Sequence, residues 1–161
     1  MTDLKSKEIR SEITSEGKLN LSIVTSDVPT PGDDDVLIKV EASPINPSDL
    51  GLLISFAADL DSISSQGSGE DTVTTMGIHP GLMQSMKPRI DKSMKVGNEG
   101  GGVIVDAGKN VKNLIGKTVG VAGGAMYSQY RCLPAMSCLV MNEGTTSVEA
   151  ASSFVNPLTA L

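Results

Sequence analysis

Val36-Leu37-Ile38-Lys39-Val40-Glu41-Ala42-Ser43-Pro44-Ile45-Asn46-Pro47-Ser48-Asp49 decides how this 161-residue chain is read. Val36, Ile38, Val40 and Ala42 fall on alternate positions, the two-residue period of a strand with one buried face. Pro44 and Pro47 end it, because two prolines three apart withdraw backbone donors that a central strand needs. Pro47-Ser48-Asp49 has the make-up of a helix start, with proline in the first turn and an acid near the positive dipole end. Leu50, Leu53, Ile54 and Ala57 follow at helical spacing, so one or two helical turns are predicted.

Working outward, Ile9, Ser11 and Ile13 alternate before Glu16-Gly17-Lys18, and Leu19, Leu21 and Ile23 alternate after it. Residues 8–26 therefore read as a β-hairpin. Thr30 to Asp35 is a solvated turn cluster. Downstream, residues 59–95 are rich in Ser, Thr, Gly, acids and Met without a clear period, and predict a long irregular loop with at most a short helix. Strands resume with Val103-Ile104-Val105, Thr118–Ala122, the weakly alternating Met126–Leu133, and Cys138–Met141. From Ser147 the pattern turns helical, capped by Thr146 or Ser147 with Glu149 in the first turn, and this helix is read as reaching Asn156-Pro157. Six or seven short strands with Gly-rich turns predict a barrel or sandwich with two or three small helices.

Composition removes whole classes. Thirteen Lys and Arg against nineteen Asp and Glu give a net charge of −6, which argues against a nucleic-acid surface. No stretch approaches the roughly 18 apolar residues of a membrane span, and residues 1–12 lack the apolar core of a secretory signal. Cys132 and Cys138 are then expected as reduced thiols in a cytoplasmic protein. Two Phe, two Tyr and no Trp leave eight Met to help fill the core.

Candidate motifs reduce quickly. The glycine run Gly97 to Gly102 precedes a strand instead of linking a strand to a helix. It lacks G-x-G-x-x-G spacing, so close backbone packing or a bulge is the better reading. His79, the single histidine, lies in a loop and reads as solvated. The cysteine pair has neither the spacing nor the second cluster of a zinc site. Glu99 reads first as a surface or hydrogen-bonded turn acid, and second as a charge that orients a ligand.

Four stretches, in order, resemble the medium-chain dehydrogenase/reductase superfamily. Val36–Val40 followed by Ile45-Asn46-Pro47-Ser48-Asp49 is similar to its strand and "INPSD" turn. Val96-Gly97-Asn98-Glu99-Gly100-Gly101-Gly102-Val103-Ile104 with Ala107-Gly108 resembles its "GxEGxGxVxxVG" segment. Ile115-Gly116-Lys117-Thr118-Val119 resembles its "xGdrV" strand. Ala150-Ala151 and Asn156-Pro157-Leu158-Thr159-Ala160 resemble the "AA…NPLTA" helix of quinone reductase-like and enoyl reductase members.

The resemblance implies a mainly β, GroES-like partly open barrel over residues 1–161, interrupted by the irregular stretch near 59–95, with the family's Rossmann domain lacking after Leu161. It implies the substrate half of an NADPH-dependent oxidoreductase that reduces an activated C=C bond or a quinone by hydride transfer, inactive without its cofactor-binding half. A standalone barrel acting as a non-catalytic binding or assembly module is the alternative. Where zinc-dependent members have Cys, His and Cys, this chain has Asn46, Asn98 and approximately Asn156, neutral amides that bind zinc poorly. The resemblance therefore implies a zinc-independent member. Carried over residue by residue, Asn46 is the catalytic-site candidate, and Asn46, Asn156 and Thr159 are the nicotinamide-facing candidates. No Tyr follows the "INP" turn, so a proton donor is not identified. The partner expected is a small-molecule substrate, with no nucleic acid or membrane, and assembly into a homo-oligomer stays open.

Overall fold

The computed structural model describes residues 4–161. β1 (Lys5–Ile13) and β2 (Lys18–Asp27) form the expected hairpin, with Ile13 opposite Leu19 and Ile9 opposite Ile23. Gly17 closes the turn at φ +75°, a conformation that glycine adopts without penalty. Inward-facing residues along β1 change phase: Ser6, Glu8, Ser11 and Ile13 are buried, whereas Ile9 faces out.

β3 (Asp35–Ala42) lies in a second sheet, between the edge strand β9 (Tyr130–Pro134) and the central strand β7 (Glu99–Ala107). β8 (Thr118–Ala122) pairs with β7, and β10 (Cys138–Val140) pairs with β8. Val36, Ile38, Ile104, Val119, Val121 and Met126 fill this half of the core. The other sheet runs β4-β5-β2-β1-β6, where β4 is Ala58–Gln66, β5 Val73–Ile78 and β6 Met94–Lys95. Ile13, Leu19, Ala57, Met76, Ile78 and Met86 pack beneath it. Residues 127–129 join the sheets: Ile9 N donates to Tyr127 O, Gln129 N to Lys7 O, and Val40 N to Gln129 O, each at 2.9 Å. The result is a mainly β, curled half-barrel with a few short helices, as expected for a GroES-like domain.

Two expectations are corrected. The stretch 59–95 is not an irregular loop. It extends the first sheet by β4 and β5, then forms a short helix α2 (Met83–Met86) and β6. Ser, Thr and Gly hide the strands because here hydroxyls do the work of apolar alternation: Ser65 Oγ lies 3.0 Å from Thr74 Oγ1, and Thr75 donates to Asn20 at 2.8 Å. The final helix is two helices, α3 (Ser147–Ala151) and α4 (Val155–Ala160). Pro157 cannot sit inside one continuous helix without losing a bond and striking the preceding turn. Breaking after Ala151 puts it in the first turn of α4, where no donor is needed. Thr146 caps α3 and pairs reciprocally with Glu149, as read.

The glycine run is a packing device. A Cβ on Gly101 would lie 2.3 Å from Ser147 O and 2.7 Å from Ala151 N, and one on Gly120 2.7 Å from Ala150 O. Both glycines let α3 lie directly on β7 and β8.

Candidate functional site

The site grows from the start of α1 (Pro47–Leu53), whose N-cap is Asn46 in extended backbone. Asp49 lies one turn in and points its carboxylate back: Oδ2 accepts from Asn46 N at 2.8 Å. Its Oδ1 accepts from Asn98 N at 2.7 Å, so one buried acid ties the helix start to the approach of β7. The Asn98 amide donates to Ser48 Oγ at 3.0 Å.

Glu99 opens β7 and is wholly buried, at 0% exposure. Its Oε1 accepts from Asn46 Nδ2 at 2.9 Å. Its Oε2 accepts from the backbone N–H groups of Phe154 and Val155 at 3.0 and 2.9 Å. Those donors are the N-cap and the first residue of α4 (Val155–Ala160), whose N–H groups have no intrahelical acceptor. A carboxylate there also meets the positive end of the helix dipole.

Tyr127 adjoins this cluster. Its hydroxyl donates to Pro44 O at 3.0 Å, and burial, then the nearby Asp49 carboxylate, push the phenol up to about 12. The ring passes over Gly97, where φ is +92° and a Cβ would stand 2.6 Å from Tyr127 Cδ1. An open, mostly apolar cleft of about 400 Å³ lies beside the ring, lined by Ile9, Val40, Ala42, Ile45 and Leu53 together with Glu41 and Ser43.

Of the residues singled out from sequence, Asn46 is buried, and Asn156 and Thr159 are exposed on α4. The Thr159 hydroxyl donates to Val155 O at 2.6 Å. Glu99 brings Asn46 together with the first turn of the helix that carries the other two. Glu99 is thus a fully buried, hydrogen-bonded acid and not a surface one. Asp49 and Tyr127 are additional members. An Asn followed three residues later by Asp across a proline start is a capping signal that pointed to Asp49; nothing local pointed to Tyr127, whose partners come from distant strands. His79 is exposed. Both thiols are free; burial pushes Cys138 up to about 11 and, with Asp35 adding its charge, also raises Cys132.

No family model matches the chain, and no curated protein sequence matches it. Solved structures do. A protein described as an NADPH:quinone reductase from Bacillus thuringiensis aligns at 22% identity and TM-score 0.65, over 98% of this chain and 39% of its own. The enoyl reductase CurK aligns at 17% identity and TM-score 0.62, over 96% of this chain and 41% of its own. A mycobacterial protein, Rv1454c, solved in complex with NADPH, aligns at 20% identity and TM-score 0.60, over 96% of this chain and 38% of its own. The chain spans about two fifths of the length of these structures. Its fold is that of the N-terminal GroES-like domain shared by quinone oxidoreductases and enoyl reductases of the medium-chain dehydrogenase/reductase superfamily.

Proposed function

We propose that this chain is the substrate-side domain of a zinc-independent, NADPH-dependent oxidoreductase that reduces an activated C=C bond or a quinone. The observation that carries the reading is the Glu99 bridge, which joins Asn46 to the helix bearing Asn156 and Thr159. The likeness to reductase structures, one of them holding NADPH, supports it.

The residues present suit a nicotinamide. Asn156 and Thr159 are exposed and offer an amide and a hydroxyl, groups that can pair with a carboxamide. When bound, the reduced cofactor supplies the hydride. The chain's part is to bind and to orient. Neutral amides at Asn46 and Asn98, committed to Glu99 and Ser48, support a zinc-free site, since zinc prefers thiolate, imidazole or carboxylate. The mostly apolar cleft beside Tyr127 supports a small-molecule substrate. Among the described residues no helix is long and apolar enough to cross a membrane; a cytoplasmic setting belongs to the same proposal.

The test is to read the source gene past the Leu161 codon, express its whole product, and follow NADPH oxidation with quinones and with α,β-unsaturated carbonyl compounds. Turnover with one class is expected, and Asn46→Ala should lower kcat by about tenfold to a hundredfold, the cost of a misplaced reacting group. The accompanying loss of stability should be smaller. A product that consumes no NADPH with either class overturns the proposal and favours a non-catalytic barrel.

A further inference from the structure

Glu99 has two tasks that constrain each other. A carboxylate only accepts hydrogen bonds, so every polar group that faces it must present a donor, here an N–H in each case. Asn46 meets that demand with its amide turned one way, Nδ2 toward Glu99. The first turn of α4 meets it with the N–H groups of Phe154 and Val155. Residues 156–160 of that helix are exposed, so burial of its own side chains contributes little to holding it in place.

We propose that Glu99 is the positioning residue of this site: one buried carboxylate sets the polarity of the Asn46 amide and the seat of α4. The inference rests on the reading of Asn46, Asn156 and Thr159 as cofactor-facing groups, and adds what orients them. Glu99 itself is out of solvent reach and has both oxygens occupied by N–H donors. It acts through the groups it holds.

Exchanging the chemistry of the pair isolates this role. In Glu99→Gln the new amide can serve α4 with its oxygen, but it then turns an NH₂ on the NH₂ of Asn46, whose amide must flip. Asn46→Asp alone sets a second buried carboxyl against Glu99, where two like charges repel and no N–H is offered. The double variant Glu99→Gln/Asn46→Asp is complementary again, because the new amide donates to the new carboxylate while its oxygen still accepts from α4.

The experiment is NMR on the 161-residue chain without cofactor, reading amide exchange at Phe154 and Val155 and the side-chain NH₂ signal of Asn46. Glu99→Ala should speed exchange at both amides by about tenfold or more, the scale of a lost charge-assisted hydrogen bond, while Val103 and Ile104 keep their protection. Glu99→Gln should move the Asn46 NH₂ signal. The double variant should return exchange at Phe154 and Val155 to within about threefold of the parent, as coupled neighbours do. Unchanged protection in Glu99→Ala, or a double variant no better than the worse single, overturns the proposal. Should Glu99→Ala not fold, the comparison of Asn46→Asp with the double variant decides alone, because the repelled single should lose protection at Phe154 and Val155 that the double regains. These signals need no NADPH, so a missing turnover would count against the reductase reading and not against the role of Glu99.

Discussion

Burial is opposed by neighbouring charges at Glu8 and reinforced by one at Tyr127. Burial raises the Glu8 carboxyl, but hydrogen bonds and charges from Lys95 and Arg10 outweigh it and hold the group below its usual range. A carboxyl depressed in the folded state adds stability above its unfolded value of 4.5, and that stability is lost as pH falls through the folded value. Glu8→Gln should flatten the acid limb of a urea-denaturation series and cost about 2 kcal/mol at neutral pH. Tyr127 runs the other way. Its proton is held more tightly in the folded chain, so its contribution is intact below pH 10.0 and declines as pH rises toward about 12. Tyr127→Phe should remove that decline from the alkaline limb; a limb identical to the parent's would show that the phenol does not titrate with unfolding.

At the scale of elements, the sheet and α3 meet backbone to backbone. Gly101→Ala should cost about 3 kcal/mol, because the added carbon meets Ser147 O and Ala151 N, neither of which can rotate away. A melting temperature within about a degree of the parent's would contradict this packing, since a loss of that size shifts Tm by several degrees. The same scale shows what was legible in the sequence. The β1–β2 hairpin, β3, the proline start of α1 and the Thr146 cap were readable because apolar period and capping residues agree locally. β4 and β5 were not, because their Ser and Thr side chains hydrogen-bond across the pair and leave no apolar alternation to read. Asn46 was singled out by resemblance, whereas Asp49 was read only as a first-turn acid although the Asn46-x-x-Asp49 capping pattern was legible. Glu99 was visible as an acid among glycines, but its partners lie 53 to 56 residues away. No local pattern announces a bond of that range.

For the whole molecule, the β4–β5 hairpin, α2 and β6 order the stretch 59–95, and the hairpin tip is its exposed turn. Limited digestion with a broad-specificity protease should cut first between residues 67 and 72, where β4 and β5 are joined by a turn with Gly67 and Gly69 at positive φ. Early cuts inside 58–66 or 73–78 would mean those strands are not held in the sheet. Cohesion of the two sheets depends in turn on residues 127–129, which bond to both β1 and β3.

That seam has a consequence for biosynthesis. Lys7 and its partner Gln129 are 122 residues apart in the chain. At about 5–20 residues per second, the first strand waits roughly 6–25 s on the ribosome for the segment that completes its pairing. Throughout that wait the outer edge of β1 offers bare backbone groups to any passing strand. Crowded nascent chains would therefore be the state in which this protein is most exposed to mispairing, and a binder of extended polypeptide would protect it there before the barrel can close.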